Sequence, residues 1–308
     1  MVAVSLKKNI GPDIFSRIDT LKVHDFSHCI EIPSTEFGKA AFDFTKTYTQ
    51  TQAVQLFGFG SSITGTFNSA NPAVDKPICP RYAFERVTPF TQNATALKSQ
   101  INQLEPRGGT SIFLGLKWGV ALLDPSFQPL IQSLPDTLRD PAFADRPHPY
   151  IASRNAGTTG ATLKYVILMT DGTNSKSYRL SNDWLDTPSE RYYFATHNLR
   201  YAETYLLNMS ARYQSDFDGG NPSLLTLFDE SAGDGHMSSM CDAAKSKGIQ
   251  IYSISVTGDD TTAEAEAGRT LMRNCATAPS TYFTSNGANL DAIFAQIATQ
   301  ITELRLSQ

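Results

Sequence analysis

The sequence predicts an α/β protein with a doubly wound, mostly parallel sheet and long loop insertions, and three observations carry that prediction. The first is an unbroken apolar run from Tyr165 to Met169. It lacks the polar/apolar alternation of a strand with one wet face and so predicts a central strand covered by helices on both sides. The second is the alternation that follows: helical spacing over 239–247, an apolar strand over 249–256, a helix over 262–274, a short strand at Tyr282 and Phe283, and a last helix over 290–304. Strand and helix in alternation give right-handed crossovers and a parallel sheet. The third is Asp171-Gly172 at the end of the apolar run. The carboxyl edge of such a sheet is where loops diverge and ligands bind, which makes Asp171 the first candidate site residue, although Asp-Gly is also ordinary turn chemistry.

The bounds are those of a globular protein. With 308 residues, 41% hydrophobic and 18% charged, the chain is long enough for one large or two small domains. A formal charge of -4 with no basic run argues against nucleic acid and anionic membrane, leaving a protein or a small ligand as partner. No apolar stretch approaches the roughly 20 residues of a transmembrane helix, and the first six residues are too short for a signal-peptide core. Cys29, Cys79, Cys241 and Cys275 contain no C-x-x-C pair, which argues against a zinc ribbon or redox motif. In an oxidising compartment Cys29–Cys79 and Cys241–Cys275 is the most economical pairing. In a reducing one the four serve as small buried hydrophobes.

Along the chain, residues 1–90 offer short apolar stretches separated by Gly, Pro, Ser, Thr and Asn, and predict short strands and loops with little helix, inserted in or packed on a domain spanning 91–308. Gly58, Gly60 and Gly65 have the wrong spacing for a dinucleotide fingerprint and no amphipathic helix after them. Asn93 can cap a helix that aligns Leu97, Ile101 and Leu104, stopped by Pro106, Gly108 and Gly109. A second helix over 111–123 aligns Ile112, Leu116, Val120 and Leu123. Thr110 thus presents a hydroxyl at a helix N-terminus on a glycine-flanked loop, suited to a cap or to an oxygen ligand. Residues 125–162 and 175–236 read as insertions. The second holds Trp184, Tyr192, Tyr193, Phe194, Tyr201 and Tyr205 with a helix over 189–209; its aromatics either recognise a partner or pack the insertion onto the domain. Asn289 can cap the last helix, with Leu290, Phe294, Ile297, Ile301 and Leu304 as its apolar stripe.

Several motifs together carry a resemblance. Gly108-Gly109-Thr110-Ser111-Ile112, followed by the 163–172 strand ending in Asp171-Gly172, resembles the second and third loops of a von Willebrand factor A domain. With Cys79-Pro80, Gly115 to Gly119, Leu123-Asp124-Pro125, Cys241 to Lys245, Leu271 to Ala276 and Leu304 to Ser307, the ordered set is similar to TadG-like proteins of the tight-adherence (Flp) pilus assembly system. The resemblance runs from about Cys29 to the C-terminus. It implies a Rossmann-like A domain of the cell envelope or periplasm, with protein partners of pilus assembly, and a ligand edge that holds Mg²⁺, or Ca²⁺ or Mn²⁺ in its place.

In that family a D-x-S-x-S loop supplies three metal ligands, joined by the Thr matched here by Thr110 and the Asp matched here by Asp171. No D-x-S-x-S exists in this sequence. Two imitations stand in its place: Asp25-Phe26-Ser27 lacks the second hydroxyl and a preceding strand, and Asp43-Phe44-Thr45-Lys46-Thr47 lacks a following amphipathic helix. The expectation is a chain that starts after the family's first strand and membrane helix, whose site is degenerate and holds its ion weakly. The competing expectation is a divalent-metal-dependent enzyme using Asp171 with an acidic or His residue of the insertions. Against it, the sequence has no H-E-x-x-H, G-x-S-x-G or P-loop, and His148, His197 and His236 show no ligand spacing.

Overall fold

A computed structural model of the chain describes residues 30–46, 48, 83–104, 110–151, 162–175, 177–180 and 224–306. The helices are α1 (Ala94–Ile101), α2 (Ile112–Leu123), α3 (Gln128–Ser133), α4 (Glu230–Ser246), α5 (Ala263–Cys275) and α6 (Leu290–Leu306). The strands are β1 (Tyr165–Thr170), β2 (Ser177–Leu180), β3 (Leu224–Phe228), β4 (Gln250–Ser255) and β5 (Tyr282–Thr284). The order β1-β4-β5 makes a parallel sheet, with Tyr165 beside Gln250 and Thr170 beside Ser255, so the two long apolar runs are neighbours as expected. The fold is mixed α/β, with helices on both faces of the sheet.

One face is fully built. Ile112, Phe113, Leu116 and Val120 of α2, Met237, Met240 and Ala244 of α4, and Met272 of α5 close over Val166, Leu168 and Ile251. Residues 30–46 join the same core: Phe37 is completely buried, with its ring 5.0 Å from Phe113 and 6.0 Å from Phe228. Cys241 of α4 and Cys275 of α5 are bonded, with Cα atoms 5.2 Å apart, inside the ordinary disulfide range. The Cys29–Cys79 pairing lies outside the described residues, as do residues 1–29, the glycines at 58–65 and the helix over 189–209.

Two buried lysines tie the periphery to this core. Lys117 of α2 donates from Nζ to the Lys39 and Ala41 carbonyls at 2.6 and 2.7 Å and lies 4.6 Å from the centre of the Phe42 ring. Lys164, just before β1, donates to the carbonyls of Leu123 and His148 and lies 4.0 Å from the Tyr150 ring. Each ammonium exchanges water for carbonyl oxygens and an aromatic face. Burial still pushes both down to about 8.

The structure corrects several expectations. Among the described residues β1 is not covered on both faces, since Val166 and Leu168 are buried while Ile167 and Met169 are exposed, and β4 is the strand flanked on both sides. The apolar run was therefore no proof of two-sided burial. Helix α4 begins at Glu230, nine residues before 239, capped by Asp229, whose side chain accepts from Ala232 N at 2.7 Å. Its Gly233 and Gly235 obscured it, since glycine is a poor helix former. Gly233 has a packing reason: a Cβ there would lie 3.0 Å from Cβ of Asn174, so only glycine admits the 174 loop so close to the helix. The insertion over 175–236 also opens and closes on an antiparallel pair, β2 and β3. The predicted apolar face of α1 is not buried: Asn93 does cap it, accepting from Ala96 N at 3.0 Å, yet Ile101 and Leu104 face solvent. Asn289 does not cap α6 through its side chain, whose oxygen accepts from Ser285 Oγ at 2.5 Å.

Candidate functional site

The carboxyl end of β1 delivers residues 171–175 to the top of the sheet, where α2 starts on one side and α4 and α5 on the other. The sequence there is Asp171-Gly172-Thr173-Asn174-Ser175. Ser175 N donates to the Thr110 carbonyl at 2.7 Å, and Thr110 N donates to Ser175 Oγ at 3.1 Å. A Cβ added at Gly172 would stand 4.0 Å from Thr110 Oγ1. Thr110 and the loop that carries Asp171 therefore form one surface, 61 residues apart in the chain but locked by a clasp, a reciprocal pair of hydrogen bonds of which one goes to a backbone carbonyl and one to the Ser175 hydroxyl.

Thr110 is not the helix cap. Ser111 occupies that position without a side-chain cap bond, and the orphan N–H of Ile112 donates instead to Asn174 Oδ1 at 2.8 Å. Asn174 is almost wholly buried and uses its other end as well, donating from Nδ2 to Asp234 Oδ1 at 2.8 Å. The loop is held on its far side by Thr173, whose hydroxyl donates to Glu264 Oε1 at 3.1 Å, and by Gly268 of α5, where an added Cβ would meet Thr173 Cγ2 at 3.2 Å. Three helices thus position the loop through Asn174, Thr173 and the clasp. Among the described residues no hydrogen bond or ion pair engages the exposed Asp171 carboxylate or the Thr110 hydroxyl. Both point of attachment and free oxygen are therefore present on one short loop.

Sequence reasoning named Thr110 and Asp171 but missed Asn174, Asp234 and Glu264. The available signal was Asn174 itself: an amide three residues past an Asp-Gly at a sheet edge can serve an orphan helix N–H and an acid at once.

Of the two stand-ins for the missing loop, the structure describes Asp43 alone, and it does not join this surface. Asp25 and Ser27 lie outside the described residues. Asp43 turns on itself, its Oδ1 accepting from Thr45 N at 3.0 Å and from Thr45 Oγ1 at 2.5 Å, which holds its carboxyl below the usual range. Its neighbours Phe42 and Phe44 pack on Trp118 and Phe127, around the last turns of α2 and the segment after it rather than at the Thr110 end. Glu36 beside it is buried, accepting from Tyr48 Oη and paired with Lys46 at 3.2 Å. His236 is a packing residue, its ring 4.8 Å from Phe37 and 5.4 Å from Phe113, and burial lowers its pKa.

A hard divalent cation would find oxygen donors here in Thr110 and Asp171. The set is thin. Among the described residues no group of three or more His, Cys, Asp or Glu side chains is arranged to hold a metal. The donors fit an ion that keeps most of its water and not one enclosed by protein.

No protein-family model and no curated protein matches the chain. Among solved structures it is similar to the pilus adhesin SpaC from Lactobacillus rhamnosus GG in its open conformation, at 18% identity and a TM-score of 0.31. That match covers 68% of this chain and 21% of the adhesin, so the chain spans about a fifth of that protein's length.

Proposed function

We propose that the chain is a non-enzymatic interaction module of the cell envelope, TadG-like and serving tight-adherence pilus assembly, whose contact edge is built on Thr110 and Asp171. The observation that carries the reading is the clasp between Thr110 and Ser175, which joins at one sheet edge the two loops that the family resemblance pairs. An oxygen-lined edge of this kind takes up a partner's side chain through a hydrated Mg²⁺, Ca²⁺ or Mn²⁺, or directly through Thr110 and the loop backbone. Two further facts support it. The Cys241–Cys275 bond suits an oxidising compartment such as the periplasm. No helix among the described residues is long and apolar enough to cross a membrane.

The metal-dependent enzyme is the second reading. It needs an acid or base within hydrogen-bond reach of Asp171. Among the described residues the acids that approach the loop are committed, Asp234 to Asn174 and Glu264 to Thr173, which favours the binding module.

With one carboxylate to offset its desolvation, a divalent ion should bind with a dissociation constant weaker than about 10⁻⁴ M. Calorimetric titration of the chain with Mg²⁺ and Mn²⁺ tests this, with Asp171→Ala as the control. Weak heat lost in the variant is the expected result. Tight binding lost in Asp171→Ala would mean that further ligands complete the site, and the degenerate reading would fall.

A further inference from the structure

The loop that follows Asp171 is wedged between two helices with no room to spare. On one side, a Cβ at Gly233 of α4 would lie 3.0 Å from Cβ of Asn174; on the other, a Cβ at Gly268 of α5 would lie 3.2 Å from Thr173 Cγ2 and 3.3 Å from the Gly172 carbonyl oxygen. Contacts this short mean that both glycine backbones already touch the loop, so the gap between α4 and α5 sets its position. Polar bonds complete the grip: Asn174 Nδ2 donates to Asp234 of α4 at 2.8 Å, and Thr173 Oγ1 to Glu264 of α5 at 3.1 Å.

One covalent bond fixes that gap. Gly233, Met237 and Cys241 follow one another down the buried face of α4, and Gly268, Met272 and Cys275 down that of α5, each at helical spacing. The glycines stand eight and seven residues before their cysteines, about 12 and 10.5 Å at 1.5 Å per residue. The disulfide therefore joins the two helices at one level, and the loop sits between them two turns higher. Both cysteines are buried, so a solvent thiol reaches the bond only when the helices part. The bond is thus made as the chain folds and kept afterwards. In making it, the two thiols give two protons and two electrons to a disulfide-bearing oxidant, which leaves as two thiols while the new sulfur–sulfur bond forms.

We infer that the Cys241–Cys275 bond is a redox catch for the Thr110–Asp171 edge. It holds α4 and α5 at the spacing that seats residues 172–174, and through the Asn174 bond to Ile112 and the Thr110–Ser175 clasp it keeps Thr110 beside Asp171. A chain folded without the bond keeps its fold and has a slack edge, so the edge takes its working shape only after the chain has met an oxidising compartment. What the slackness means for binding rests on the contact edge proposed above; the seating of the loop does not.

The test is native-state amide hydrogen exchange of the full chain, read at Ile112 and Ser175, whose N–H groups donate to Asn174 Oδ1 and to the Thr110 carbonyl. The amides of β4 gauge global unfolding. In Cys241→Ala/Cys275→Ala, Ile112 and Ser175 should exchange about tenfold faster than in wild type, by an opening that leaves β4 protected. Gly268→Ala keeps the bond and should do the same by pushing the loop outward. Combining all three substitutions should add little, since unbonded helices spread to admit the methyl group. Fully additive effects, or Ile112 and Ser175 amides that only follow β4, would mean that the disulfide stabilises the fold without seating the loop, and would overturn the inference. Mn²⁺ titration of the same chains keeps the two readings apart: a wild type that binds no ion removes the metal-held contact and leaves the exchange result intact.

Discussion

The two faces of the sheet were written by the same run of apolar residues and ended differently. Leu168 lies under α2 and α4, in a core that also draws in Phe37 and Phe228. Ile167, its immediate neighbour, is exposed on the α6 side. The difference comes from the supply of helices: among the described residues three pack against one side, and one against the other. An apolar strand states only that it can be buried; how many elements remain to cover it decides whether it is.

The largest expected effect separates these neighbours. Leu168→Ala should cost about 2–5 kcal/mol by emptying a packed position, whereas Ile167→Ala should stay within about 0.5 kcal/mol. Chemical denaturation of both variants measures the contrast, and equal costs would mean that the α6 side is closed after all. Next comes the disulfide on the built face. Replacing Cys241 and Cys275 together by serine should lower stability by about 2–4 kcal/mol, read as a drop in denaturation midpoint that a reductant reproduces in wild type.

A smaller effect follows from the lysines under that face. Their folded pKa values are depressed to about 8 from an ordinary 10.5, so between these limits the unfolded chain holds more protons and stability rises with pH. Tyr48 and Tyr150 act oppositely, because burial and the Glu36 and Asp124 carboxylates raise their pKa values. Their unfolded forms ionise near pH 10, and above that point stability falls. Denaturation midpoints should therefore climb from about pH 8, by an order of 1 kcal/mol, to a maximum near pH 10. A Lys117→Met chain should lose part of the climb.

Much of this was legible in the sequence. Strands β1 and β4, their parallel neighbouring, helices α2, α5 and α6, and the bond between Cys241 and Cys275 follow from spacing and alternation. What escaped depends on partners far away in the chain. The start of α4 is hidden by Gly233, which exists for Asn174 and not for the helix. The cap of α2 is hidden because it comes from Asn174, 62 residues on. The exposure of Ile167 was invisible because periodicity reports what a strand can do and not which helices arrive.

At the site, Thr110 and Asp171 were readable from the glycine-flanked hydroxyl and the strand-end acid. The second layer, Asp234 and Glu264, sits on helix faces with no local signature. The binding reading rests on the edge those residues hold in place. The most direct measurement is Mn²⁺-induced relaxation of backbone amide signals, with Asp171→Ala as reference. The account predicts broadening centred on Thr110 and residues 171–175, half-saturating above about 10⁻⁴ M and absent from the variant. Broadening centred instead on Asp43, or unchanged in Asp171→Ala, would contradict it.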